Sequence, residues 1–183
     1  TITAVDTWQG DGHAGHYDDE VYAQVQAHAN THYPHLAQLK RMSFDEARQS
    51  LMQDDIDLLH IDGLHTYDAV RHDFETWRSA CRPNAVVLFH DTQVRRDDFG
   101  VWRFWQELET QYPHFEFKHS HGLGVICLGD VRTLPQAVQD LFAAKDSATE
   151  AAIQAHFSNW GQLLIERIEA EHRQYHQSLE LAQ

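Results

Sequence analysis

Two apolar runs in this sequence end on residues that can do chemistry. "IDLLHIDGLH" (56–65) closes on Asp62, Gly63 and His65, and "AVVLFHDT" (85–92) closes on His90, Asp91 and Thr92. An imidazole titrates near neutrality and can take a proton from a hydroxyl, which makes His65, with Asp91, a candidate general base. Carboxylates beside imidazoles can instead hold a divalent metal, with Asp62, His90 and Asp91 as the donors. Two further polar ends accompany these: Asp6 closes "ITAVD" (2–6), and Ser43 and Phe44 follow "LAQLKRM" (36–42). Behind Asp6 runs "TWQGDGHAGHYDDE" (7–20), in which Asp11, His13 and His16 lie in a Gly-rich stretch between Trp8 and Tyr17. On a helical turn His13 and His16 would lie side by side, giving a second metal cluster; otherwise the stretch is a loop over a substrate crevice or a solvated polar loop. In "VRRDDFGVWRFW" (94–105), Arg95 and Arg96 could meet an anionic substrate, while Trp102 and Trp105 read as core.

Each of these residues also has a plain structural reading. An aspartate after a strand often forms a turn or caps a helix, His65 could cap the helix that begins near Thr66, His90 could merely line a crevice, and Phe44 could be core. Four polar clusters at the ends of successive strands weaken that reading, because in open α/β sheets ligands bind outside the carboxyl ends of the strands.

The elements that would position them follow from periodicity. The runs at 2–6, 36–44, 56–62 and 85–91 are short and apolar, as strands buried on both faces are. Between them, 18–29, 44–52, 66–81 and 99–112 have helical spacing; in the third, Val70, Phe74 and Trp77 recur on one face and "RPN" closes the unit. The expected fold is therefore α/β, a Rossmann-like doubly wound, mostly parallel sheet. "FEFKHSHGLGVICLG" (115–129) reads as an antiparallel hairpin turning near His121 and Gly122. We expect an α/β domain over 1–130 and a helical extension or linker over 131–183. The last part of that extension, with Leu164, Ile168 and Tyr175, would either pack on the domain or extend away as a linker helix, and the C-terminal helices are the candidate surface for a homo-oligomer.

The 183 residues, 42% of them apolar, can bury one core. A formal net charge of -14 argues against nucleic acid or an anionic membrane surface as partner and favours a small-molecule substrate. Cys81 and Cys127 form no spaced framework, which fits reduced thiols and a cytoplasmic setting. No apolar run is long enough to span a bilayer and no signal-peptide pattern is present. The chain opens directly on strand-like "TITAV", which suggests a segment of something longer.

"IDLLHIDGLHTYDAVRHDFETW", "CRPNAVVLFHDT" and "GLGVICLG" together resemble the class I S-adenosylmethionine-dependent methyltransferases of the family 24 type, over roughly residues 2–129. The resemblance implies O-methylation of a sugar or other small hydroxylated metabolite. It also implies roles: Asp6 for the ribose hydroxyls of S-adenosylmethionine, Ser43 and Phe44 for its adenine, and Asp62 in the cofactor crevice and, with Asp91, as oxygen donors to Mg²⁺ or Mn²⁺. Metal-dependent relatives carry two adjacent acids where this chain has His90 and Asp91, a departure that favours a transition metal over Mg²⁺, or no metal. The glycine-rich turn that holds the methionine part of the cofactor follows a strand earlier than Asp6, and no GxGxG stands upstream of it. Strands ending at Asp6 and Asp62 would then either pair directly or have another chain fill the gap between them, and weak or no S-adenosylmethionine binding by this chain is expected. The alternatives are a metal-dependent oxygenase or hydrolase using His65, His90 and Asp91, and a non-catalytic domain of a larger, glycosyltransferase-like protein.

Overall fold

A computed structural model describes residues 1–50 and 55–180, with side chains to residue 174. In chain order the elements are β1 (Ile2–Asp6), β2 (Gly10–Asp11), β3 (Gly15–His16), α1 (Asp19–His32), β4 (Ala37–Arg41), α2 (Phe44–Arg48), β5 (Ile56–Ile61) and α3 (Tyr67–Arg78). They continue as β6 (Cys81–His90), α4 (Val101–Leu108), β7 (His114–Phe117), β8 (Leu123–Cys127), α5 (Gln136–Ala143) and α6 (Ala148–Glu180), with a 3-10 turn at Val131–Thr133 before α5.

The alternation of strand and helix is as expected, but the sheet is divided. β5, β6, β8 and β7 lie in that order, β5 parallel to β6 and the β7–β8 hairpin antiparallel to them. β1 and β4 form a separate parallel pair. Of the two arrangements considered for the strands ending at Asp6 and Asp62, direct pairing does not occur: among the described residues no ladder joins β1 to β5. β1 is exposed along most of its length, and Leu58 of β5 is 59% exposed.

The core lies on one face of the four-stranded sheet. Val87 and Phe89 of β6 alternate inward and meet Val70 and Phe74 of α3 and Val101, Phe104 and Trp105 of α4. Trp105 is core as read; Trp102 is only half-buried, and its ring lies under the Arg95 guanidinium. Burying each large apolar side chain here stabilises by about 2 kcal/mol. Gly124 of β8 lets the Trp105 ring lie flat on the sheet, since a Cβ there would overlap it. The "RPN" segment does not close the helical unit: Arg82, Pro83 and Asn84 lie within β6, and α3 ends at Ser79, one residue before buried Ala80. α2 is shorter than its pattern, and residues 51 and 52 lie outside the described residues.

The C-terminal helices begin on the sheet and then leave it. α5 packs near β7. Gln154 of α6 bonds the backbone of both Glu116 and Lys118, and Phe157 meets the Phe117 ring edge-on at 5.0 Å. Beyond it Trp160, Leu164 and Ile168 are each more than half exposed, so this part of α6 does not pack on the domain; the side chain of Tyr175 lies outside the described residues. Among the described residues no helix is long and apolar enough to cross a membrane.

Candidate functional site

The loops after β5 and β6 converge. Thr66 caps α3, its Oγ1 accepting the Ala69 N–H, so the cap is Thr66 and not His65. The His65 carbonyl accepts the Gly100 N–H at 2.8 Å, and Thr66 bridges to Phe99. A Cβ at Gly100 would overlap the Tyr67 backbone, so glycine is what lets segment 99–100 lie against this loop. After β6 the chain turns sharply: Asp91 has φ 62°, a left-handed conformation costly for a residue with a side chain, at about 1 kcal/mol. Around it, the Asp91 N–H donates to Gly122 O and the Gln93 N–H to His121 O, which pins the β7–β8 turn over the end of β6.

Four donors meet at this point. Asp62, His65, His90 and Asp91 each offer a ligand atom, all within 4.8 Å of one another. His65 Nε2 stands 2.9 Å from Asp91 Oδ2 and 3.5 Å from Asp62 Oδ1. His90 Nδ1 lies 3.1 Å from Asp91 Oδ1 and 3.2 Å from Asp62 Oδ1, and His121 Nδ1 lies 3.5 Å from Asp91 Oδ1. Asp91 is buried, and its Oδ1 makes no hydrogen bond although three imidazoles surround the carboxylate. Asp62 sits at the rim; contact with His65, and then His90, holds its carboxyl well below the usual carboxylate range. The same Asp62 contact raises the His90 imidazole, with burial opposing it.

The stretch behind Asp6 forms a tight β2–β3 hairpin rather than a helical turn, so His13 and His16 are not side by side and no second metal cluster forms among the described residues. Asp11 organises the turn, accepting the N–H groups of His13 and Ala14 at 2.7 and 2.8 Å. Burial works to raise its carboxyl, but these bonds outweigh that and leave it below its ordinary value. His16 is exposed on β3. His13 turns inward: its Nε2 contacts Asp98 at 2.7 Å and its ring stacks on Phe99 at 4.4 Å, while His65 stacks on the same ring at 4.9 Å. The hairpin thus covers the β5 loop. Arg96 lies over Phe99, and Arg95 bonds the Thr92 carbonyl, so both are engaged by neighbouring groups.

Asp6, Ser43 and Phe44 follow β1 and β4 and are not among the four donors, though Phe44 lies against Gly63 beside Asp62. Asp6 is exposed, and its Oδ1 accepts the Trp8 N–H at 2.7 Å. Ser43 caps α2 in a reciprocal box: its Oγ accepts the Glu46 N–H and contacts the Glu46 carboxylate at 2.8 Å. Ser43 and Glu46 border a shallow cavity of about 290 Å³ with Thr7 and Arg41. Phe44 approaches Gly63 so closely that a Cβ there would fall 2.5 Å from its ring. Sequence reasoning missed His121, Asp98 and Phe99. The His121–Gly122 turn was visible only as a turn, and nothing local marks Asp98 as the partner of a histidine 85 residues away.

Comparison with known proteins agrees with this architecture. A protein of Sinorhizobium fredii, y4gI, itself uncharacterised, is 48% identical over 126 residues, 69% of this chain and 14% of that protein. The chain therefore spans about one seventh of that relative's length. A crystal structure of a protein from Corynebacterium glutamicum superposes with a TM-score of 0.53 at 15% identity, covering 71% of this chain and 61% of that one. A Staphylococcus aureus protein assigned as a caffeoyl-CoA O-methyltransferase superposes with a TM-score of 0.52 at 14% identity, covering 69% and 64%. These two share the Rossmann-like fold. Residues 1–92 match the family described as "Methyltransferase domain", half of the chain, and the chain belongs to that family.

Proposed function

We propose that this domain takes part in methyl transfer from S-adenosylmethionine to the hydroxyl of a small hydroxylated acceptor, a sugar or similar metabolite. The observation that carries the reading is the buried Asp91 carboxylate, with Oδ2 on His65 and Oδ1 unsatisfied. Neither His90, 3.1 Å away, nor His121, 3.5 Å away, makes a well-aligned hydrogen bond to that oxygen, which leaves it able to accept one from an acceptor hydroxyl. S-adenosylmethionine, when bound, supplies an electrophilic methyl group. Asp91 Oδ1 orients the hydroxyl and takes its proton, while His65 Nε2 against Oδ2 shares that proton and holds the carboxylate in place. The β2–β3 hairpin, with Asp11, His13 and His16, covers the His65 loop and keeps water from it.

The residues present fit part of the cofactor. Exposed Asp6 at the end of β1 suits the ribose hydroxyls, and Phe44 beside Gly63 suits the face of the adenine. The Ser43 hydroxyl is committed to Glu46, so a ring nitrogen would have to replace that carboxylate. The divided sheet supports weak binding by this chain, with tighter binding by a longer natural protein that carries it. Calorimetry with S-adenosylmethionine on both, followed by a methyl-transfer assay, tests the reading. Micromolar affinity for the 183-residue chain would contradict the first expectation, and no binding in either protein would overturn the assignment.

The orphaned Asp91 Oδ1 and the two imidazoles also fit a divalent metal held by Asp62, His90 and Asp91, with His65 beside them. Such a mixed nitrogen and oxygen set suits Mn²⁺ or Zn²⁺ better than Mg²⁺. A metal there lowers the pKa of a coordinated hydroxyl. A second reading rests on the same set: His65, His90 and Asp91 form a two-histidine, one-carboxylate group of the kind that holds iron in oxygenases. Redox-active iron in the purified protein, with no affinity for S-adenosylmethionine, would favour it.

A further inference from the structure

α6 carries an apolar face further than the domain covers it. Phe157, Trp160, Leu164 and Ile168 recur at steps of three and four residues, so they form one stripe along the helix, with Leu163 and Ile165 on its two margins. The stripe starts on the domain, where Phe157 meets Phe117 and Gly161 lies beside the His119 ring. From 162 to 169 every residue is exposed, and Trp160, Leu163, Leu164 and Ile168 each keep more than half of their surface in solvent. The opposite face is polar, with Asn159, Gln162, Glu166 and Arg173. Contacts of Gln162 with Glu166 and of Arg167 with Glu171 run within the helix and stabilise it only weakly. A helical stretch of about a dozen residues without tertiary packing is marginal in water, so the stripe calls for a cover.

We infer that the cover is a second copy of the same helix, crossing antiparallel near Leu164 to make a dimer. Three observations select this occupant. The stripe is complementary to itself: at such a crossing Leu164 meets Leu164, and Trp160 of each copy meets the smaller Ile168 of the other. The charges favour this direction over the parallel one. A parallel pair sets Glu171 against Glu171 at the end of the stripe, whereas the antiparallel crossing sets Arg167 level with the second copy's Trp160 ring and Glu171 level with its His156. The area is also sufficient. Six apolar side chains, each about half exposed, offer on the order of 600 Å² per copy and 1,200 Å² per pair, the lower end of what stable interfaces bury.

Sedimentation equilibrium and light scattering on the 183-residue chain across the micromolar range test this. The chain should have the mass of two copies, and its helical circular dichroism should fall as dilution separates them. Leu164→Asp and Ile168→Asp, at exposed positions outside the core, should each weaken association by about 10-fold or more and leave the melting of the domain unchanged. Cysteine scanning fixes the direction, because Cys81 and Cys127 are buried and a cysteine placed on α6 is then the accessible thiol. On mild oxidation Leu164→Cys should cross-link to itself, and Trp160→Cys should cross-link to Ile168→Cys in a mixture but not to itself. A monomer at every concentration, or a dimer indifferent to both aspartates, would overturn the inference; self-linking of Trp160→Cys would overturn the antiparallel order. Association is independent of the methyl-transfer reading, so a dimer that fails to bind S-adenosylmethionine still supports it.

Discussion

His65 Nε2 and Asp91 Oδ2 stand 2.9 Å apart, although one side chain follows β5 and the other follows β6 in a left-handed turn. That backbone conformation aims the carboxylate at the imidazoles, and the cost of holding it is a reason to look for function at Asp91. Asp91→Asn keeps the shape but loses the charge. In a longer natural protein that transfers methyl groups, the rate should fall by about 10²-fold or more while the melting temperature changes little. Steady-state rates beside thermal melts of both proteins check this.

Metal affinity separates the donor types. Calorimetry with Mn²⁺, Zn²⁺ and Mg²⁺ should give the order Zn²⁺, then Mn²⁺, then Mg²⁺, and His90→Ala should reduce Zn²⁺ binding by about 10-fold or more. Equal affinity for Zn²⁺ in the variant and the parent chain would show that the imidazole takes no part.

Asp73 of α3 supplies a pH dependence away from the cluster. Burial pushes its carboxyl up to about 6 from 3.8, against a small opposing effect of His72. The folded chain therefore holds this proton more tightly than the unfolded one, so the Asp73 contribution to stability falls as pH rises from 3.8 to about 6 and stays reduced above that. After allowance for solvent screening the effect is about 1 kcal/mol. Asp73→Asn should raise the melting temperature at pH 7.5 and leave it unchanged at pH 3.5; a variant that melts lower at pH 7.5 would contradict the assignment.

Two glycines are required by contact, the second by its backbone conformation as well. Gly100→Ala drives a methyl group into the Tyr67 backbone, and Gly122→Ala both meets Thr92 Oγ1 and forces φ 86° on a residue with a side chain. Each should cost about 2–3 kcal/mol in chemical denaturation.

The His13–Asp98 contact fastens the hairpin over the His65 loop. Asp98→Ala should leave global stability within about 1 kcal/mol, since Asp98 is 70% exposed. It should, however, raise hydrogen exchange across residues 10–16, and unchanged exchange would show that stacking on Phe99 alone holds the hairpin.

Much of this arrangement was legible locally. The apolar runs ending at Ile61 and His90 gave β5 and β6, and Val70, Phe74 and Trp77 gave the buried face of α3, because period and strand ends are encoded in a few adjacent residues. The convergence of Asp62, His65, His90 and Asp91 followed from the topology alone. What escaped depended on contacts distant in sequence or on turn chemistry. Asp11 bonding the N–H groups of His13 and Ala14 made a hairpin of a stretch read for helical spacing. Arg82–Asn84 lie within β6 as an irregular stretch between Cys81, which pairs with Ile56, and Val86, which pairs with Leu58, so the local preference of proline and asparagine shows as a register shift and not as a strand end. His121 reached Asp91 only because the β7–β8 turn folds back onto residues 91–93.

The break between β1 and β5 bears on how the molecule comes apart. Backbone bonds transmit unfolding from strand to strand, and here that chain of transmission is interrupted, leaving side-chain contacts such as Phe44 against Gly63 to couple the two parts. β1 and β4 should therefore behave as a separate cooperative unit, opening at a lower free energy than β6 and β8, whose amides are locked on both sides. Asp6, proposed for the cofactor ribose, rides on the loosely held unit, and His65 and Asp91, the proposed proton-handling pair, on the firm one, so seating a ligand across both would register as a gain in the cooperativity of melting.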